Sequence, residues 1–492
     1  MMPNLSNLSN LMITRNSIKI TAKIKFNILA FCIVGLSTNA HAQELKGNTS
    51  HDQELPSEVH LSSVPPMSES PTGLIKTEKI DGKWWFIDSE GKGFFPIGMT
   101  HTSAFVPDDP AVILSTLTDI GLTGSFLLVA GLQSEADKVG YKYGKSVWPA
   151  LIAHANQYRK EENSRPDPFS NEYDDFCNTA IRNASRSVVN NSNVLGYTYG
   201  FSPFSLMHKW INSILIKDGS PGKLAIVDEY RKIYENDISE FNTIYSTDLA
   251  SFDELVAHTG IVYDRTLDPT PEDLPVIQLE GKKRDVTRLS MLLIAQTHRV
   301  PEKYVREYDP NHLILGFALK PYAMNFDLYR ALAPYVDVIS PQHLHVAGHS
   351  SAPNSHFVLD VKTLSEVTGK PIYLSDNYCG STDPRKNSTG RYPRYTDEQH
   401  IGIVFQATIL EALAQPEVIG VSACLSINHR TDQHAYKGLL DAQGSEKSEV
   451  TQHIRELQGK IISYRQQQYS NKDLSLIQDR TKSKIKTAIG EE

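Results

Sequence analysis

The stretch "PIYLSDNYCG", residues 371–380, is a short apolar segment that stops on an acidic residue and continues into a polar loop. Continuous apolar runs bounded by turn residues are typical of strands that are buried on both faces of a parallel sheet. Asp376 stands where this strand would end. An acid at that place can carry out chemistry, or it can cap the turn that follows, and the segment alone leaves both interpretations open.

Seven further stretches of the same kind alternate with longer helical or irregular segments. In chain order they read "FFPIGM", "GSFLLV", "SVWPALI", "NVLGYTY", "HLILGFAL", "VDVIS" and, after the stretch quoted above, "VIGVSACLS". Eight apolar strands separated by helices predict an α/β fold, a closed (β/α)8 TIM barrel. Residues 218–307, between the fourth and fifth strands, are too long for one crossover, and their pattern predicts a helical insertion. Chemistry in such a barrel lies at the carboxyl ends of the strands, which favours a functional Asp376.

The first 42 residues have the features of a secretory signal peptide. Basic residues precede an apolar run from Phe26 to Leu36, and a small-residue pattern ends at Ala42, the expected cleavage site. The mature protein is therefore expected in the periplasm or outside the cell.

Three more segments follow the signal peptide. Residues 43–72 are polar and rich in Ser and Pro, as in a linker, and the predicted barrel domain covers residues 73–468. Residues 469–492 form a charged C-terminal tail.

The charge balance excludes some classes of partner. Without the signal peptide the chain has 45 basic and 57 acidic residues, a formal charge of −12. Nucleic acid is not expected as a partner, because phosphate binding needs a basic face. The apolar run of the signal is too short to span a bilayer, so no stable membrane association is expected. The three cysteines outside the signal allow at most one disulfide.

Several motifs together carry a resemblance to a known family. They are "DGKWWFIDSEGKGFFPIGMTH" (81–101), "NVLGYTYGFSP", "YDPNHLILG", "YVDVISPQHLH", "GKPIYLSDNYCG" and "QPEVIGVSACLSINHR". From Gly73 to Lys460 the sequence resembles the agarase-type glycoside hydrolases around family 50, in the clan of retaining barrel glycosidases. The resemblance implies a secreted hydrolase that cleaves a galactan of agar, porphyran or carrageenan type, or its oligosaccharides, without a cofactor.

That clan places two carboxyl groups beside the glycosidic bond, a nucleophile at the end of the seventh strand and a proton donor at the end of the fourth. Asp376 matches the nucleophile position, although the family-50 enzymes carry Glu there. The fourth strand departs from the pattern. Phe201 stands where relatives place the acid, and no carboxylate occurs from Val194 to Ser205. A missing general acid costs about 10²- to 10⁴-fold in rate.

Three explanations of this departure stay open. The donor could come from another loop, where Glu172, Asp174 and Asp175 are the nearest acids, although such a cluster is more often a solvated helix start. A histidine could replace the acid. Alternatively, the protein could be a pseudoenzyme that binds carbohydrate without cleaving it.

Histidines follow the sixth predicted strand. His343 and His345 have a spacing that can hold a metal ion, which would make the chain a metal-dependent barrel hydrolase. We favour hydrogen bonding of these side chains to sugar hydroxyls or to one another, because no acidic partner follows at a suitable spacing. No metal is therefore predicted.

The loops after the last two predicted strands are basic and contain aromatic side chains. Arginine matches the oxygens of sulfate or carboxylate, so a sulfated polysaccharide or oligosaccharide would fit; alternatively, these cations only keep the loops soluble. The residues predicted to contact sugar are Phe201, His343, His345, Asn377, Tyr378, Arg385, Arg394, Asn428 and His429.

Overall fold

The chain from Glu58 to Glu492 forms one compact unit. A computed structural model describes residues 64–101, 110–128, 130–147, 166–201, 207–263, 280–319, 325–342, 360–377, 382, 395–426, 438–441 and 445–490.

The strands of this unit form three sheets. They are β1 (Lys76–Ile80), β2 (Lys83–Ile87), β3 (Gly93–Phe94), β4 (Ile97–His101), β5 (Gly124–Ser125), β6 (Lys142–Ser146), β7 (Val194–Phe201), β8 (Ile314–Ala318), β9 (Ile372–Asn377) and β10 (Val418–Ser426). The first three make an antiparallel sheet, whereas the others make two parallel sheets with the orders β4-β10-β9 and β5-β6-β7-β8.

Short pairings connect the two parallel sheets. The Thr123 amide donates to the Ile97 carbonyl at 2.8 Å, which joins the start of β5 to β4. Residues 339–342 pair in parallel with Leu319, just after β8, on one side and with β9 on the other. No uninterrupted ladder runs around all the strands of the described part of the chain. The protein is therefore a mixed α/β protein with parallel sheets.

Two glycines allow neighbouring strands to approach closely. A Cβ atom at Gly98 of β4 would lie 1.9 Å from the Gly124 carbonyl oxygen, and one at Gly144 of β6 would lie 1.9 Å from the Phe126 oxygen. Any side chain would push these backbones apart, so only glycine fits.

Helices accompany the strands. They are α1 (Pro110–Ile120), α2 (Gln133–Val139), α3 (Asn171–Ser185), α4 (Met207–Leu215), α5 (Pro221–Ile233), α6 (Ile238–Tyr245), α7 (Phe252–Ala257), α8 (Glu280–Tyr308), α9 (Phe326–Leu332), α10 (Val361–Thr368), α11 (Gln399–Ala414), α12 (Ser448–Arg455), α13 (Ile461–Gln466) and α14 (Asn471–Ile489). Helices α4 to α8 lie between β7 and β8, and α5 to α8 occupy the segment in which the sequence predicted helices.

The third strand begins earlier than predicted. The sequence predicted "SVWPALI" (146–152), of which residues 148–152 lie outside the described part, and the observed strand β6 begins at Lys142 and ends at Ser146. Two lysines interrupt the apolar pattern of this strand. Lys142 Nζ donates to Asn193 at 2.6 Å and Lys145 Nζ donates to Gln133 at 2.9 Å, so both ammonium groups are satisfied while the backbone pairs.

The folded part extends beyond both predicted ends. Upstream of the expected start at Gly73, the Pro66 carbonyl accepts from the Gly93 amide at 2.7 Å. The charged tail forms helix α14, which buries Ala488 against α11. The helix begins with a capping box in which the side chains of Ser470 and Asp473 each accept from the other residue's backbone amide.

Buried cations attach the C-terminal region to strand β2. The guanidinium of Arg465, on α13, is fully buried and donates to the Trp84 carbonyl at 2.8 Å. Lys83 Nζ in turn donates to the carbonyl oxygens of Arg465, at 2.6 Å, and Gln467. Burial lowers the pKa of Lys83 to about 8. Of the described helices, none is long and apolar enough to cross a membrane.

Candidate active site

The inner faces of the parallel strands form an apolar layer near their amino ends. Phe126, Leu195, Leu315, Tyr373 and Ile419 belong to one buried cluster, to which the antiparallel hairpin adds its own apolar side chains. The hairpin therefore packs against the inner face of the parallel strands. A separate, larger cluster lies between the strands and the helices.

Polar side chains replace apolar ones toward the carboxyl ends of the strands. Ser422 Oγ lies at the boundary, 2.9 Å from the Tyr373 hydroxyl, and it accepts from the Phe126 amide at 2.9 Å. Beyond it, Thr100, Gln342 and Asp376 are all buried. Buried polar groups are costly unless they are hydrogen-bonded, and these three side chains have such partners.

A β-bulge turns Asp376 toward this polar layer. Val421 of β10 pairs with Leu374, but Ala423 pairs with Asn377, so β9 carries one extra residue. Tyr373 belongs to the inner cluster and Leu374 to the outer one. Strict alternation would send the side chain of Asp376 outward with Leu374. The extra residue reverses the alternation and directs the carboxylate inward.

Thr100 receives the carboxylate on the inner side. Its neighbours Ile97 and Met99 face the outer cluster, so Thr100 faces inward. Its hydroxyl donates to Asp376 Oδ1 at 2.5 Å, across the intervening strand β10, and its oxygen lies 3.2 Å from the Ala423 carbonyl. Asp376 is 6% exposed. We conclude that the carboxylate is held in a defined orientation at the carboxyl end of the sheet.

Two amides brace the backbone around Asp376. Gln342, which pairs with Asp376 along the backbone, donates its Nε2 to the Ala318 carbonyl at 3.0 Å. Asn377 Nδ2 lies 3.3 Å from the Leu374 carbonyl oxygen and 3.5 Å from that of Ser422. In this structure Asn377 supports the strand ends, and its contact with sugar stays a prediction.

The fourth-strand departure persists in the structure. Strand β7 ends at Phe201, whose side chain lies outside the described part, and its residues include no carboxylate. The alternative acids lie close to the start of α3. There Asp174 accepts from Tyr304 and, at 3.3 Å, from Lys303 of α8, whereas Glu172 and Asp175 are exposed. This cluster is a solvated helix start between two outer helices.

Most of the predicted sugar-contacting residues cannot be placed. Outside the described residues lie His343, His345, Tyr378, Arg385, Arg394, Asn428 and His429. Within the described ranges, no group of three or more His, Cys, Asp or Glu side chains could hold a metal ion.

Sequence reasoning missed Thr100. The available signal was its place at the end of the first predicted strand, where a polar residue follows "FFPIGM". Its relation to Asp376 could not be read from the chain, because 276 positions separate the two residues.

A buried histidine lies behind β7 and β8. His298 of α8 has its ring centroid 6.0 Å from Tyr199 of β7 and 5.3 Å from Phe317 of β8. Its Nδ1 lies 2.8 Å from the Ile294 carbonyl oxygen. Burial lowers the pKa of His298 to about 4. The ring is therefore neutral at pH 7, and it packs rather than titrates there.

Comparison with known proteins identifies the fold. No family model and no curated protein matches the sequence. Among solved structures, the agarase AgWH50C matches at 15% identity with a TM-score of 0.63, over 81% of this chain and 66% of that one. An exo-beta-agarase matches at 15% identity and 0.58, over 83% and 69%. BpGH50 matches at 17% identity and 0.57, over 81% and 84%. The chain therefore has the fold of these structures, and it spans about two thirds of the length of the first two.

Proposed function

We propose that this chain is a secreted glycoside hydrolase that cleaves a galactan or galactan oligosaccharides, with Asp376 as the nucleophile or charge stabiliser. One observation carries the proposal. In a fold shared with agarases, the acid at the end of β9 is turned inward by a bulge and held there by Thr100. Bulges beside active sites commonly re-aim a side chain in this way.

We also propose that the two parallel sheets are parts of one closed (β/α)8 barrel. The bond between Thr123 and Ile97 links them at one edge, and residues 339–342 link them at the other. In a closed barrel, the loops after all eight strands would surround Asp376.

The chemistry would follow a retaining course. An oxygen of Asp376 attacks the anomeric carbon as the glycosidic C–O bond breaks, and the leaving oxygen takes a proton from a general acid. Water then hydrolyses the glycosyl ester and restores the carboxylate. The second group must lie about 5 Å from Asp376. It is not a carboxylate of β7, so another loop or a histidine would supply it.

Substrate charge and export are further parts of the proposal. Arg385, Arg394 and His429 follow the seventh and eighth predicted strands, where they would bind sulfate or carboxylate groups of an anionic galactan. The signal peptide of residues 1–42 would place the enzyme in the periplasm or outside the cell, where such polymers are found.

A second candidate is a carbohydrate-binding barrel without hydrolytic activity. The observation in its favour is the lack of a carboxylate in strand β7. A cleft without a proton donor could still hold sugar through stacking and hydrogen bonds.

Reducing-end assays separate the two candidates. The secreted protein is incubated with agarose, porphyran and carrageenan, and with 4-nitrophenyl β-galactoside, whose leaving group needs little protonation. A hydrolase releases new reducing ends, and Asp376→Asn lowers the rate by about 10³-fold or more. The exposed Asp228→Asn serves as the control, because it lies on α5 and pairs only with a neighbouring surface arginine in the described contacts.

Three outcomes are informative. Polysaccharide binding without any release supports the binding protein. Cleavage of the aryl glycoside alone identifies a hydrolase without a proton donor. Activity of Asp376→Asn equal to that of the wild type removes Asp376 from the mechanism.

A further inference from the structure

We propose that Thr100 is the positioning residue of Asp376, and that it divides the two carboxylate oxygens between an anchored Oδ1 and a reacting Oδ2. This inference rests on the proposed function, because only a reacting carboxylate gives the division a catalytic meaning. It assigns a role to a residue of the first parallel strand, β4, on the opposite side of β10 from Asp376.

The geometry singles out Oδ1. The Thr100 hydroxyl lies 2.5 Å from Oδ1, within the range of a charge-assisted O–H···O bond. Threonine is stiff at χ1, and Thr100 is itself 1% exposed, so the donor has little freedom to move. A hydrogen bond to Oδ1 from a donor that cannot move restricts rotation of the Asp376 carboxylate, and with it the position of Oδ2.

The hydroxyl has one proton and two acceptors. Besides Asp376 Oδ1, the Ala423 carbonyl oxygen lies 3.2 Å from Thr100 Oγ1. While Asp376 is ionised, the Thr100 hydroxyl donates its proton in a hydrogen bond to the carboxylate rather than to the carbonyl, because hydrogen bonds to charged groups are stronger. When Oδ2 forms the glycosyl ester, the negative charge of the carboxylate is lost, and the hydroxyl can rotate to the carbonyl. Thr100 therefore stabilises the Asp376 carboxylate, which is the leaving group when water cleaves the glycosyl ester.

Kinetics of two substitutions test the positioning role. Thr100→Val removes the donor at nearly constant volume, and we expect kcat to fall by about 10- to 100-fold while KM stays within about twofold. Thr100→Ser restores the hydroxyl and should recover most of kcat. Thr116→Val, at a partly exposed threonine of α1, is the matched control and should leave both constants unchanged. Equal loss in the Val and Ser variants would overturn the proposal.

A thermal double-mutant cycle tests the same bond without any substrate. Melting temperatures are measured for Thr100→Val, Asp376→Ala and the double variant. The contact of Thr100 with Ala423 is lost in both Val variants, so it cancels in the cycle. We expect the double variant to melt about 2 °C above the value that the two single losses predict together. Losses that simply add would overturn the assignment of Oδ1.

The two measurements also separate this inference from the proposed function. If the wild-type chain hydrolyses none of the substrates, the proposed function fails, and the melting cycle alone decides whether Thr100 holds Asp376. If hydrolysis occurs and the cycle shows no coupling, the function stands and the role of Thr100 is refuted.

Discussion

Replacing His298 by asparagine should weaken the loss of folding stability that the protein shows as the pH falls from 7 to 4. The ring is 0% exposed and lies against Tyr199 and Phe317 on the outer side of the strands. Asparagine can still donate to the Ile294 carbonyl, which His298 Nδ1 contacts at 2.8 Å, but it cannot take up a proton. The substitution therefore separates titration from hydrogen bonding.

The magnitude follows from linkage between protonation and folding. The pKa of His298 falls from 6.5 to about 4 because burial disfavours the charged ring. Between these values the unfolded chain binds a proton that the folded chain does not, so the free energy of unfolding falls as the pH falls. The loss from this group begins near pH 6.5, is complete near pH 4, and amounts to about 3 kcal/mol.

Urea unfolding at pH 7, 6, 5 and 4 measures this effect. Between pH 7 and pH 4, wild-type protein should lose about 3 kcal/mol more than His298→Asn does. At pH 7 the variant should be about 1–3 kcal/mol less stable, because the smaller side chain leaves a cavity. His453→Asn, at a partly exposed histidine of α12, is the matched control for the substitution itself. Equal pH slopes for wild type and His298→Asn would refute the reasoning.

Three other substitutions have expected outcomes. Gly98→Ala places a Cβ 1.9 Å from a carbonyl oxygen of β5, so we expect a loss above about 3 kcal/mol or no folded protein in thermal melts, whereas Gly131→Ala, with open space around it, should be nearly neutral. Burial lowers the pKa of Lys83 to about 8, below its unfolded value of 10.5. In urea titrations between pH 8 and pH 10.5, the free energy of unfolding of the wild type should therefore rise relative to that of Lys83→Met. A constant difference between the two proteins would contradict this. Ser470→Ala removes the capping box shared with Asp473 and should cost about 1 kcal/mol, seen as faster amide exchange in α14.

The sequence predicted those strands that are buried on both faces, because a short, continuous apolar run is compatible with few other structures. "VIGVSACLS" coincides with β10, and "PIYLS" lies within one residue of the start of β9. The early start of β6 was not predicted, because Lys142 and Lys145 are compatible with a strand only where their ammonium groups find partners. Those partners lie on other segments, so no local pattern reports them.

The C-terminal helix shows a similar division. The sequence predicted only a charged tail here, although Ser470 and Asp473 have the spacing of a capping box. The attachment of the helix depends on Ala488 packing against α11 and on the Thr396 amide, which donates to the Ala488 carbonyl at 2.8 Å. These contacts join segments that are distant along the chain.

By itself, the sequence determined that an acid follows the apolar run of residues 371–375 and that this strand belongs to a parallel α/β fold, because local hydrophobic pattern and turn residues act over a few positions. The tertiary structure alone decided which way Asp376 points. One extra residue in the pairing of β9 with β10 reverses the side-chain alternation, and Thr100 then holds the carboxylate from two strands away. Register and cross-sheet contact arise only when the strands are side by side, so no reading of one strand could supply them.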